Sequence, residues 1–467
     1  MKKIGIRYQV SGVSAFLAIL ASPIVAQTSL SIYSDGRVVV RKTLPQRLEK
    51  GRTTLALYLG GLDPATLFSP DTSVAVVSAL LVPATDPAAA MRAAIGRTLT
   101  FVRGKGDTIQ ATVLSIAPAQ FRLANGLVTF TSPGEPLFPA ESAFIRSTPS
   151  ARVTLEASRA RSSTEIAYVS QGVTWEAVYQ AVLDGTQAAV SGSATILSQS
   201  LKADSASVQL VAGTINRTRN DNAADEMKVA PRLSALMVNG AAQAYATEQA
   251  VGETHVYDLP GKISFDIGAP LTTALFPRAR ADVTQEFVVP GVMPWRGFFG
   301  PQPTDPDAVP VQVWYTFKRA HGTAFGDRPL PGGTVELFQR DSSGRVQLVG
   351  EAAFTHTPAG KDLRVQSGDA FDVTAERVQT DYNQEQLPAL RRGLPSRTRV
   401  TASYSVTLTN AKSSAVTVDV RETHYGAWQV TASSVPAEKL SSTEQRFRVS
   451  VPAGGTATLT YTLQVDS

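Results

Sequence analysis

Four histidines, His255, His321, His356 and His424, are all the imidazoles this chain has for metal binding or proton transfer. No two stand at the spacing that places a pair of zinc ligands on one helix face, and no H-E-x-x-H run occurs. A zinc or general-base role would need them to converge from distant loops. Serine is abundant, yet no G-x-S-x-G elbow is present to expose a nucleophile on a strand-to-helix turn. Gly104-Lys105-Gly106 has the look of a phosphate cradle, but a cradle needs a helix N-terminus directly after it and a strand-like run follows here. Asp305 and Asp307, with Glu253 and Asp258, could be imagined around calcium, but the D-x-[DN]-x-[DN]-G loop is absent. No cofactor and no metal is expected, and no catalytic residue is assigned.

Two aromatic groups remain. Trp175 and Tyr179 are four residues apart, so on a strand they share a face. They form either a sugar-stacking platform or part of the core, and core packing is the reading favoured. Trp295, Phe298 and Phe299 lie in a proline-rich stretch, 290–310. If exposed they make an apolar contact surface; if buried they cap the end of a sandwich. They are the candidate binding residues.

The elements that would position these residues are strands. Val335 and Leu337 alternate with polar neighbours, as do Val346 and Leu348, and Asp341-Ser342-Ser343-Gly344 lies between the runs. That pattern predicts a hairpin with one buried face. Similar runs, punctuated by Ser34-Asp35-Gly36, Asn125-Gly126, Gln171-Gly172 and Asp184-Gly185, recur along the chain. Asn-Gly predicts a type I′ turn, which needs positive φ at both positions. The run Thr456, Thr458, Thr460, Thr462 alternates with Ala457, Leu459, Tyr461, Leu463 as a two-faced strand. No helical period extends over several turns.

The fold class is therefore all-β, with multi-domain antiparallel β-sandwiches. The expected organisation is an N-terminal β region at 27–90 and a small SH3- or Sm-like barrel at 91–150. A sandwich region follows at 151–395, with a mobile, alanine-rich insertion at 219–252. An Ig-like sandwich at 396–467 ends the chain.

Residues 1–26 read as a secretory leader: Lys2, Lys3 and Arg7 precede an apolar run, and Ala26 offers a small residue at the cut. The apolar run is short for a membrane span, which needs about 20 residues. The chain has no cysteine, which excludes disulfides and thiolate metal sites. Its formal charge of +5 includes three cations of the leader, leaving 41 Lys+Arg against 39 Asp+Glu. Charges are interspersed and form no basic face, which argues against nucleic acid. The expected location is periplasmic or secreted.

Two blocks carry a family likeness. One runs from Gly172 through Trp175 to Tyr179 and continues from Leu210 through Gly213 to Arg217. The other is Leu330 to Asp381, followed by Ser405 to Asn410 and Pro452 to Leu459. Together, over roughly residues 160–465, they resemble a bacterial envelope family known as domain of unknown function 4139, which overlaps with proteins labelled mucoidy inhibitors. The resemblance implies an exported, β-rich envelope protein with no established activity. Many relatives place a long coiled coil before this region; no sustained heptads precede residue 160 here. In a bacterial chain the glycosylation triplet Asn216-Arg217-Thr218 carries no consequence.

The function expected from these readings is non-enzymatic: a binding or scaffolding protein of the cell envelope whose partner is an envelope protein or a glycan. A hydrolase of an envelope polymer and an adhesin-like spacer are the alternatives. The hydrolase reading requires His321 or His424 to meet a carboxylate in a concave site.

Overall fold

A computed structural model describes residues 27–139, 145–146, 149–213, 245–291, 300–302, 306–388, 397–424 and 426–466. The leader at 1–26 and residues 219–244 of the expected insertion lie outside them. The chain is nearly all β, and its residues divide into two compact units. One holds Val39–Ser170 with the residues before Ser31, the other Gln171 onward with Ser31–Val38.

In the first unit a three-stranded antiparallel sheet has Ser150–Ala157 at its centre, flanked by Gly51–Leu57 and Val74–Val82. Ala151, Val153, Leu155 and Ala157 alternate inward and are buried, as a sheet covered on one face requires. The boundary expected at 150/151 therefore moves to 170/171, because Ser150–Ala157 pairs back onto strands from before residue 90.

A smaller domain interrupts this sheet. Its neck is a reciprocal pair: Thr85 N–H donates to the Arg146 carbonyl, and Arg146 N–H to Thr85 Oγ1, both at 2.9 Å. It opens with a helix, Pro87–Ala93, capped by Asp86, whose carboxylate accepts from Ala89 N–H. Five strands follow, in the spatial order Val128–Thr129, Ala119–Leu123, Thr108–Ile116, Thr98–Val102, Glu135–Leu137. Met91, Ala94, Leu99, Phe101, Val113 and Phe121 close its core, with Phe101 and Phe121 edge-to-face at 5.5 Å. The expected start at 91 misses this helix, since seven residues are too few to show a period. The Asn125-Gly126 turn is not type I′: of the two only Gly126 has positive φ (+85°), and Leu123 N–H donates to the Leu127 carbonyl. It is the three-residue loop in which a glycine in the left-handed region ends an ordinary turn.

Two sheets lie wholly within the second unit among the described residues, one ten-stranded and one five-stranded. Leu271–Val289 is the spine of the larger one. Its first half pairs with Gln187–Ser198, its second half with Gln312–Phe317 and, in parallel, with Val416–Thr423. Val173–Asp184 pairs with Gln187–Ser198 on one side and runs parallel to Gly333–Arg340 on the other. The smaller sheet contains Asp307–Val309, Val373–Leu387, Arg397–Asn410, Gly455–Asp466 and Ala427–Ser433.

One core joins the two sheets. Val406, Leu408, Leu459 and Tyr461 meet Phe287, Val289, Val313, Val418 and Phe447. A separate domain starting at 396 is thus corrected: Val373–Leu387 and Arg397–Asn410 form one continuous hairpin, and the core draws on strands from residue 287 onward. Thr247–Val251, placed in the expected insertion, is a strand that pairs with Thr254–Asp258 across Gly252.

The hairpin Gly333–Arg340/Val346–Phe354 forms as expected, with its turn at Asp341–Gly344. Its buried face is confined to the first strand. Val335 and Leu337 are buried, whereas Val346 and Leu348 are 47% and 57% exposed, because the second strand is the sheet edge.

Candidate functional site

Trp175 and Tyr179 sit on the inward face of Val173–Asp184 and are both buried. Tyr179 packs against Phe276 and Phe354, and its hydroxyl donates to the Pro331 carbonyl at 2.9 Å. They are core, and no sugar platform exists there. Trp295, Phe298 and Phe299 lie outside the described residues, as does Asp305.

The histidines serve separate local roles. His255 Nδ1 is 2.7 Å from Glu248 Oε1 across the hairpin that carries both. His321 is 85% exposed and 3.4 Å from Asp327. His356 Nδ1 accepts the Gly332 N–H. Asp258 accepts from the amides of Gln209 and Gln249. Among the described residues no three metal-ligating side chains come together.

His424 belongs to a buried polar centre that the sequence did not announce. Glu422 and His424 follow Val418 and Val420 at period two, so they point into the core. Arg377 Nη2 donates to Glu422 Oε2 and to the Tyr461 hydroxyl, both at 3.0 Å. The Tyr461 hydroxyl donates in turn to Glu422 Oε1. Tyr404 and Phe447 stack on Tyr461 at 5.3 and 4.9 Å, and the Arg377 guanidinium lies over Tyr404.

Burial raises the Glu422 carboxyl above its ordinary range, against the pull of Arg377 and the Tyr461 hydrogen bond. Burial opposes the charge of Arg377, but Glu422, Tyr461 and Tyr404 outweigh it, and Arg377 stays protonated. Burial, then the neighbouring Arg377, pushes His424 down to about 4. His424 Nε2, Gln445 Nε2 and Arg377 Nε are buried without a hydrogen-bond partner among the described residues. Each Glu422 oxygen already has a donor. The centre therefore acts as a latch, tying Val373–Leu387 and Gly455–Asp466 of one sheet to Val416–Thr423 of the other.

A second site is open. On Gln312–Phe317, Val313 and Phe317 face the core, so Trp314 falls on the opposite face. Glu286, Trp314 and Gln366 are cross-strand neighbours on three adjacent strands. Arg364, one step along the same face, lays its guanidinium over the indole at 4.0 Å. It also donates from Nε and Nη2 to Glu286 Oε2 at 3.1 and 2.9 Å. The Trp314 indole N–H is held by Gln312 Oε1.

The outer wall of this site is the edge strand Val346–Phe354. A Cβ on Gly350 would stand 2.6 Å from Ser367 Cβ, so glycine lets the two strands close on each other. Trp314, Glu351, Arg364, Gln366 and Gly368 line the resulting cleft of about 440 Å³, within the usual range of roughly 300–1,000 Å³ for small-molecule sites.

A larger hollow of about 560 Å³ in the first unit is a weaker candidate. Its Asp71 is consumed by bonds from Ser73 N–H, the Ser73 hydroxyl and Arg161, which hold its carboxyl down to about 2, and no aromatic lines it.

Trp314 was legible in principle. In Val311-Gln312-Val313-Trp314-Tyr315-Thr316-Phe317 the tryptophan is out of phase with the valines and phenylalanine, and so falls on the face they do not use. No family model matches the chain, and a search of the curated proteins finds no relative.

Proposed function

We propose that this chain is an exported binding or scaffolding protein of the bacterial cell envelope, periplasmic or secreted, that holds a ligand without transforming it. It is a divergent member of the 4139 family, with an Ig-like sandwich formed around the C-terminal strands and an SH3- or Sm-like small domain. The leader-like residues 1–26 and the two family-like blocks support the address. The observation that carries the binding reading is Trp314 on an outward sheet face, inside a cleft and flanked by Arg364 and Glu286.

Of the two histidines a hydrolase would draw on, His321 meets Asp327 at 3.4 Å but is 85% exposed, and His424 is buried two residues along the chain from Glu422. Glu422 spends both oxygens on Arg377 and Tyr461, which favours structure over turnover there.

The test is retention on envelope fractions from cells expressing the leader-bearing chain. The wild type is retained, and Trp314→Ala is released into the soluble fraction. The triple alanine variant of Trp295, Phe298 and Phe299 tests the second contact surface. Unchanged retention in both variants would remove the binding reading.

A further inference from the structure

We infer that the Trp314 cleft takes a neutral, hydroxyl-rich ring, a pyranose unit of a glycan chain; this rests on the binding reading above and names its ligand class. Three features of the site select that chemistry.

First, charge is balanced before any ligand arrives. Arg364 is already paired with Glu286, and Glu351 adds a carboxylate to the lining. Arg364, the one cation in the lining, is thereby neutralised, so no unpaired positive charge is left to hold a phosphate or an acidic sugar. The indole face that could attract an ammonium group is taken by Arg364 at 4.0 Å.

Second, unused hydrogen-bonding atoms of both kinds stand side by side. Arg364 Nη1, Glu286 Oε1 and the Gln366 amide have no partner among the described residues. A fixed guanidinium–carboxylate pair offers one donor and one acceptor, as two adjacent hydroxyls need, since each hydroxyl both gives and takes a bond. A substituent lacking a hydroxyl would leave the carboxylate oxygen unpaired, and that mismatch is what makes such sites selective.

Third, the lining combines an aromatic with small residues. Ala352, Ala353 and Gly368 leave room beside the half-buried indole, whose surface left open by Arg364 offers apolar contact to the C–H face of a saturated ring.

The experiment titrates the full chain from residue 27 with neutral hexose and N-acetylhexosamine oligosaccharides, followed by calorimetry. A uronate oligosaccharide of equal length and an extended peptide are the comparison ligands. The expected result is saturable binding of at least one neutral series, with the uronate bound roughly tenfold more weakly or not at all. Trp314→Ala weakens binding roughly tenfold, Trp314→Phe retains most of it, and Gln366→Ala weakens it without touching the aromatic. Circular dichroism of each variant checks folding, and the glutamine variant keeps the test decisive if Trp314→Ala does not fold.

Neutral binding that Trp314→Ala and Gln366→Ala leave unchanged overturns the assignment to this cleft. Preference for the uronate or the peptide overturns the ligand class. If no oligosaccharide binds while envelope retention still depends on Trp314, the glycan falls and the binding reading stands; if retention is also indifferent to Trp314, both fall.

Discussion

Arg377 and Glu422 are buried against each other, and the two partners fail differently when removed. Arg377→Met strands a carboxylate in the core and is expected to cost about 3–5 kcal/mol. Glu422→Gln keeps an acceptor for Arg377 and Tyr461 and is expected to cost less, about 1–3 kcal/mol. The double variant Arg377→Met/Glu422→Leu recovers most of the loss, because no lone charge remains; urea titrations of the three variants check the order. His424 supplies a pH signature. Its folded pKa of about 4 lies below the unfolded value of 6.5, so the unfolded state binds the proton first. Stability is therefore complete above about pH 6.5 and falls as pH drops toward 4, by up to about 3 kcal/mol. Glu422, raised by burial, acts with the opposite sign in an overlapping window. The difference between wild type and His424→Leu isolates the histidine: the variant loses the acid-side slope in denaturant midpoints measured from pH 7 to pH 4. Neither partner of this centre was legible as such. Glu422 and His424 alternate correctly with Val418 and Val420, but period two gives the face of a strand and not what crosses the core to meet it.

At the scale of elements, the hairpin Gly333–Arg340/Val346–Phe354 and the strand Gly455–Asp466 were plain, because turn chemistry and alternation agree in both. Leu271–Val289 was not. Pro277 lies in its interior, Leu275 and Phe276 are both buried, and the register slips opposite Val190 and Gly192. A bulge turns two consecutive residues inward and lets the proline escape the ladder, which erases the period that sequence reading depends on. Gly192 is the partner of that bulge. Its missing side chain seats the Phe276 ring, since a Cβ would stand 2.3 Å from Phe276 Cε1. Gly192→Ala is expected to destabilise the second unit by about 1–3 kcal/mol through forced displacement of the ring. Near-ultraviolet dichroism and the denaturation midpoint both report it. Arg319 holds the neighbouring loops by a different means: its guanidinium donates to the carbonyls of Phe325, Pro358, Lys361 and Arg328, and it is almost wholly buried. A lysine cannot reproduce that planar fork.

At the scale of the whole molecule, the small domain is an insertion with a neck at Thr85 and Arg146 and a core of its own. Replacing residues 86–145 by a short Gly-Ser linker is expected to leave the Gly51–Leu57/Ser150–Ala157/Val74–Val82 sheet folded. The excised form should keep the β-type dichroism of the remainder and lose one unfolding transition in calorimetry; collapse of the remaining sheet would count against a self-contained insertion. The amino-acid sequence by itself determined that this chain is all-β, where most turns fall, and which face of each regular strand is apolar. Those properties depend on neighbours within a few residues. Tertiary structure alone decided that Ser150–Ala157 returns to the first unit, that the C-terminal strands share a core with residue 287, and that Trp314, Glu351 and Arg364 line one cleft. Each is a pairing across tens or hundreds of residues, set by which sheet edges and apolar faces are left to satisfy once the local hairpins have formed.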